Sequence, residues 1–330
     1  MALKLLVLGA GTVGKGLLKA ISRRSEFIVA GIAGSSGYAY SKEGISAADA
    51  EKIIGGRKLS EISGFREGPA LELVKEADYD VLVELTTTNL KDAEPAYSHI
   101  KAAFSRAKHV VTSNKGPLAL HFHELDLLAK RNGCIFRFEA TVGGAIPIFA
   151  TANNYLRGDR VTSLRGILNG TTNYILTRMF EEKMDYGTVL KEAQQLGIAE
   201  RDPSYDVDGI DAAAKLAIVA NAIFGKNASF SEVRRTGISR ITPEILELAA
   251  SQNYRVKLIC SASSDGSMEV APRFVPLSDP LASINGTLNA ITLEARMAGP
   301  LTLVGKGAGE SETASAVLAD LIDISDRVKK

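Results

Sequence analysis

Residues 3–21 read LKLLVLGAGTVGKGLLKAI, and the three glycines Gly9, Gly11 and Gly14 decide how the chain folds. Leu3 to Leu8 form a short apolar run that suits a buried strand, and residues 13–22 can continue as a helix. Between them the spacing is GxGxxG. The first glycine permits a tight turn, the second lets a pyrophosphate approach the backbone, and the third lets helix and strand pack closely, while the helix amino end offers unpaired N–H donors. Alone the pattern is weak, because three glycines also serve a plain turn. Its place after a strand and before a helix favours a dinucleotide site.

The same alternation continues outward. Apolar runs at 27–33, 80–85, 109–112 and 135–141 read as strands, with helix-compatible segments at about 69–77, 94–107 and 121–132 between them. Strands that alternate with helices build a parallel sheet, so residues 1–150 are expected to form an α/β, Rossmann-type doubly wound domain that binds a dinucleotide. From about residue 160 the pattern changes. One strand (VTSLRGILN) precedes consecutive helices at 171–183, 187–196 and 209–224, and alternating strands return near 254–262, 268–275, 291–297 and 301–304. Residues 151–310 are therefore expected to be an α+β substrate-binding and dimerisation domain, and 311–330 an amphipathic helix that packs back on the first domain.

Composition narrows the partners. The 330 residues are 45% hydrophobic and 23% charged with a net charge of +1, so no one-signed field points to nucleic acid. A small molecule is the expected partner. The opening apolar run is broken by glycines and no transmembrane-length segment follows, which argues against a signal peptide or a membrane span. Cys134 and Cys260 are too few and too far apart for a disulfide scaffold or a metal site, so a reducing, cytoplasmic setting is expected.

Cofactor preference rests on the end of the second strand. An NAD site usually places an acid there, whereas residues 30–40 read AGIAGSSGYAY, with Gly34, Ser35 and Ser36 in the critical place. Without that acid nothing repels a 2′-phosphate, so NADP(H) is favoured and NAD(H) remains open. Arg57, Lys58 or Lys42 offer a counter-charge, or are plain surface bases. Lys115 in HVVTSNKGP (109–117) and the pair Thr86 and Thr87 follow strands at the sheet's carboxyl end, where ligands bind in open parallel sheets.

A second chemical signal lies at 200–216, ERDPSYDVDGIDAAAKL, where five carboxylates crowd ahead of a helix. Asp208 or Gly209 suits its cap, and Asp211 and Lys215 fall at i and i+4 on one face. The pair is either a surface ion pair or, on a helix this rich in alanine, a buried lysine held by an acid and suited to proton transfer. The acids suit an ammonium.

The segments GAGTVGKG, TSNKGP, EATVGGAIPI (139–148), GILNGTTNYIL (166–176), LGIAERDPSYDVDGIDAAAKL (196–216) and GKGAGESETA (305–314) together resemble homoserine dehydrogenase, and they span nearly the whole chain. The resemblance implies NAD(P)H-dependent reduction of L-aspartate 4-semialdehyde to L-homoserine, on the route to threonine, methionine and isoleucine. It implies that Ala10, Gly11, Thr12 and Val13 cradle the pyrophosphate, that Thr86, Thr87 and Lys115 lie near the nicotinamide, and that Gly309 approaches the cofactor. Glu200 and Asp211 would bind the substrate amino end with Gly197 lining the pocket, and Lys215 would donate the proton. Glu139 with the carbonyls of Val142, Gly144 and Ile146 would hold a monovalent cation, sodium, in a structural role. A homodimer through the second domain's sheet is expected by analogy, without the regulatory domain some relatives carry. Gly34-Ser35-Ser36 departs from the acidic or basic variants associated with this position. Two rival readings stand beside this one. Another two-domain sugar or amino-acid dehydrogenase would use Lys115 as its acid, and a non-catalytic NAD(P) sensor would need a basic DNA-binding module, of which none is visible.

Overall fold

The run Leu3–Leu8 forms β1 at the centre of a seven-stranded sheet in the computed structural model, which describes residues 2–329. The chain divides into two units, one running to Thr141 and resumed from Gly309, the other spanning Val142–Ala308.

In the first unit β1 is followed by α1 (Thr12–Ile21), β2 (Phe27–Gly34), β3 (Gly37–Tyr40), α2 (Ala47–Ile54), β4 (Phe65–Arg66), α3 (Ala70–Glu76), β5 (Val81–Glu84), α4 (Ala96–Ser105), β6 (His109–Thr112), α5 (Lys115–Arg131) and β7 (Phe136–Arg137). The sheet order is β4-β3-β2-β1-β5-β6-β7, parallel from β2 to β7, so strand order reverses between β1 and β5. Ligands bind at such a reversal, outside the strand carboxyl ends.

Three differences from the sequence reading have local causes. The expected strand at 135–141 is paired only at Phe136–Arg137, because the Glu139 N–H donates to Asp320 Oδ2 (2.9 Å) and Glu139–Thr141 turn as a 3-10 helix. Helix α5 begins at Lys115 rather than near 121: Asn114 caps it, and Pro117 falls in the first turn, where no N–H is needed. The two-residue turn after Gly34 folds β3 back antiparallel on β2, and β4 extends that edge.

The second unit contains α6 (Ile148–Ala150), β8 (Val161–Ile167), α7 (Gly170–Glu182), α8 (Tyr186–Gln195), α9 (Ser204–Val207), α10 (Ile210–Phe224), β9 (Arg234–Arg235), α11 (Pro243–Ser251), β10 (Tyr254–Ser263), β11 (Met268–Pro276), β12 (Leu288–Ala295) and β13 (Gly299–Lys306). Its sheet runs β13-β12-β8-β10-β11-β9, antiparallel except where β9 joins β11. Every residue from Asp211 to Asn221 of α10 is buried, as its small and apolar side chains require. The sequence reading had not anticipated α11.

The last helix, α12 (Glu310–Val328), belongs to the first unit. Its Val317, Leu321 and Ile324 join Leu5, Val7, Leu17, Ile21 and Val83 in one core. Close approach to α1 needs Gly16, where a Cβ would lie 2.9 Å from Glu310 Cγ.

Candidate active site

In the first unit the three motif glycines meet different surroundings. A Cβ on Gly9 would lie 2.5 Å from the Leu85 carbonyl oxygen, and Gly9 has a left-handed φ of 108°. A Cβ on Gly14 would fall on the Gly9 carbonyl. At Gly11, the N-cap of α1, nothing lies within 4 Å of that position. Two glycines thus close the turn against β5 and α1, while the middle one leaves open space at a helix amino end whose first N–H groups lack i−4 carbonyls. Ala10 and Val13 are half-buried around it and Thr12 is exposed. At the end of β2, Ser35 and Ser36 are exposed, as are Lys42, Arg57 and Lys58, and Arg57 pairs with Glu61 at 3.7 Å.

The loop after β5 is tied inward. Thr86 donates its hydroxyl to Glu84 Oε1, and Asn114 Nδ2 donates to Thr86 Oγ1 (3.2 Å), Thr86 O (3.0 Å) and Thr87 O (3.2 Å). Thr86 therefore uses its side chain within the protein, while Thr87 is exposed. Lys115 is half-buried as the first residue of α5. Gly309 is the N-cap of α12, with φ 141° and Glu312 occupying the place of a Cβ.

In the second unit the i, i+4 pair is buried rather than superficial, Asp211 being 5% and Lys215 8% exposed. Lys215 Nζ lies 2.8 Å from Asp211 Oδ2 and donates to Leu168 O at 2.8 Å. Asn169 had no assigned role in the sequence reading, yet its Nδ2 bridges Asp206 Oδ1 (2.6 Å) and Asp211 Oδ2 (3.0 Å), and its Oδ1 caps α7 by accepting from Thr172 N (2.9 Å). The available signal was the NGTTNY stretch beside the acid-rich one. Gly209, left-handed at φ 76°, caps α10. Glu200 and Gly197 are exposed on the segment before α9, Gly197 with φ 70°. Cys260 lies against α10, and burial pushes its thiol up to about 12, which makes it a poor nucleophile.

The residues matched to a cation fall in two places. Glu139, in the first unit, is buried, and burial together with the Glu139 charge lifts the Asp320 carboxyl to about 8. Val142, Gly144 and Ile146 begin the second unit, where Gly143 (φ 82°) and Gly144 (φ 55°) are both left-handed and the Ile146 carbonyl accepts from Ile148 N at 2.9 Å. Among the described residues no group of three or more His, Cys, Asp or Glu is placed to hold a metal, and no helix is long and apolar enough to cross a membrane.

Family profiles match both units: residues 9–139 match the NAD binding domain of homoserine dehydrogenase, and 147–322 match homoserine dehydrogenase itself. A homoserine dehydrogenase of Methanocaldococcus jannaschii is 46% identical, the match covering 99% of each chain. The crystal structure of a putative homoserine dehydrogenase from Archaeoglobus fulgidus is similar with a TM-score of 0.89 at 44% identity, covering 98% of this chain and 99% of that one. A hyperthermophilic archaeal homoserine dehydrogenase in complex with NADPH has a TM-score of 0.86 at 31% identity, with 99% and 98% covered.

Proposed function

The chain belongs to the homoserine dehydrogenase family, an NAD(P)-dependent oxidoreductase, and from that premise we propose how its residues share the interconversion of L-aspartate 4-semialdehyde and L-homoserine. When bound, the reduced nicotinamide supplies the hydride to the aldehyde carbon. The turn Gly9–Gly14 holds the pyrophosphate, with Gly309 completing the cofactor site, and Thr86, Thr87 and Lys115 orient the nicotinamide end. The open space at Gly11 supports this. NADP(H) is the favoured cofactor and NAD(H) a possible one, supported by the absent β2 acid and by the relative solved with NADPH.

Asp211 and Glu200 receive the substrate ammonium beside Gly197, and the amide end of α7 from Gly170 suits the α-carboxylate. Lys215 Nζ gives its proton to the aldehyde oxygen as that oxygen gains charge, and takes it back during homoserine oxidation. The observation that carries this is the buried Asp211–Lys215 pair, whose cation is held at a helix start beside further acids. Spectrophotometric homoserine oxidation with each nucleotide, in the wild type and in Lys115→Ala and Lys215→Ala, tests it. The severe loss belongs to Lys215→Ala; near-normal turnover there transfers the proton to Lys115.

The same reading includes a structural sodium ion at Glu139 and the Val142, Gly144 and Ile146 carbonyls. A hard cation takes oxygen ligands and would relieve the charge that Glu139 shares with Asp320. It also includes a cytoplasmic homodimer. Edge strand β13, with Val304 exposed, supports an uncovered flank for a second copy, which light scattering would reveal.

A further inference from the structure

At the floor of the loop that carries Thr86 and Thr87 lies a carboxylate that no role above uses. Glu84 ends β5, where it is 0% exposed, and points toward α4, where His99 is 3% exposed and places Nδ1 3.6 Å from Glu84 Oε1. Oε1 also receives the Thr86 hydroxyl and, at 3.4 Å, the Thr86 N–H. Among the described residues neither Glu84 Oε2 nor His99 Nδ1 has a hydrogen-bond partner. Leu82, two residues earlier on the strand, and Ile100 and Phe104 on α4 are buried and apolar, so packing alone would be served by leucine at position 84. A buried acid there costs several kcal/mol unless its contacts offset it.

The Thr86 contact leads on to the ends of β5 and β6, which the Glu84 backbone carbonyl also joins. The Thr112 hydroxyl donates to Glu84 O (3.0 Å) and accepts from Asn114 N (3.0 Å), and Asn114 grips the loop at Thr86 and Thr87 while capping α5 through Gly116 N (3.0 Å). One carboxylate therefore turns Thr86 inward, which leaves Thr87 outward, and it is linked to the helix start that bears Lys115. We infer that Glu84, backed by His99, is a positioning residue for the nicotinamide end of the cofactor: it sets the 85–89 loop without touching ligand.

This rests on the reading that Thr87 and Lys115 serve the nicotinamide. The experiment compares E84L, which fills the same space without an acceptor, E84Q, which keeps an acceptor oxygen for Thr86, T86V, which removes the donated hydroxyl, and T87V. Each is measured for kcat, homoserine KM, and Kd for the dinucleotide and for ADP-ribose or its 2′-phosphate, which lack the nicotinamide. Loss of a hydrogen bond to a charged group predicts that E84L and T86V weaken dinucleotide binding and lower kcat by roughly tenfold or more. Fragment affinity and homoserine KM stay at wild-type values, and E84Q restores most of the loss. A purely structural role would instead spare E84L. Folded E84L with unchanged kcat and Kd overturns the inference, as does equal loss of fragment and dinucleotide; should E84L not fold, an inert T86V overturns it too. If T87V alters neither dinucleotide affinity nor kcat, the nicotinamide reading itself fails; a T87V loss beside inert E84L and T86V removes only the inference.

Discussion

Two lysines of the second unit are buried to a similar degree, Lys215 at 8% and Lys257 at 2% exposed, and their surroundings set them apart. Lys215 is matched by a full opposite charge on Asp211 and by one carbonyl, so among the described residues two of its three N–H donors are committed. Lys257 commits all three, to Asn173 Oδ1 (3.2 Å), Asn285 Oδ1 (3.0 Å) and the Ile284 carbonyl, every one a neutral acceptor. Burial, helped by Arg255, pushes the Lys257 ammonium down to about 8. Burial alone therefore does not mark a proton donor: a spare donor and a carboxylate counter-charge do.

The contrast breaks most visibly in turnover. Lys215→Ala should lower kcat by roughly 10² to 10⁴, with cofactor affinity nearly unchanged, whereas Lys257→Met should leave kcat at the wild-type level. Comparable losses in both variants would erase the distinction. Stability should rank the two sites in the same order, by a smaller margin. Asp211→Asn strands the Lys215 charge and should cost roughly 3 to 5 kcal/mol in urea unfolding, while Lys257→Met, which takes the donor from Asn173 Oδ1 and Asn285 Oδ1 but leaves the Ile284 carbonyl its bond from Asn173 Nδ2, should cost about 1 to 3 kcal/mol.

The pH dependence sharpens the comparison. The folded value for Lys257, about 8, lies below the ordinary 10.5. Between those values the unfolded chain holds a proton that the folded chain has released, so this residue's contribution raises stability as pH climbs from about 8 to 10.5, and its penalty is fully present below pH 8. Wild type should gain stability over Lys257→Met across that window; a constant difference would contradict the burial effect. The smallest effect belongs to exposed Glu200, whose replacement by alanine should raise homoserine KM roughly two- to fivefold with little change in kcat. An unchanged KM removes it from the substrate's surroundings.

The glycine turn and the strands around it were legible because their signals are local: an apolar run, a GxGxxG spacing, a helix start. The Asp211–Lys215 spacing was legible too, but whether it faced solvent depended on what packs over α10, which no window of sequence contains. Asn169 and the Glu84–His99 pair escaped notice because their meaning lies in partners 37 and 42 residues away for Asn169, and on a neighbouring helix for Glu84. Strand β3 hid in GYAY, four residues that declare themselves only when β2 lies alongside to pair with them. Strand β7 was overcalled because its apolar run could not reveal that Asp320 would capture the N–H of Glu139.

The return of α12 to α1 has a consequence for biogenesis. A ribosome releases all of Val142–Ala308 before the segment from Gly309 emerges, so the continuous unit can settle while the α1 face carrying Leu17 and Ile21 still waits for Val317 and Leu321. The nucleotide-binding half, first to be translated, is thus the last to be sealed.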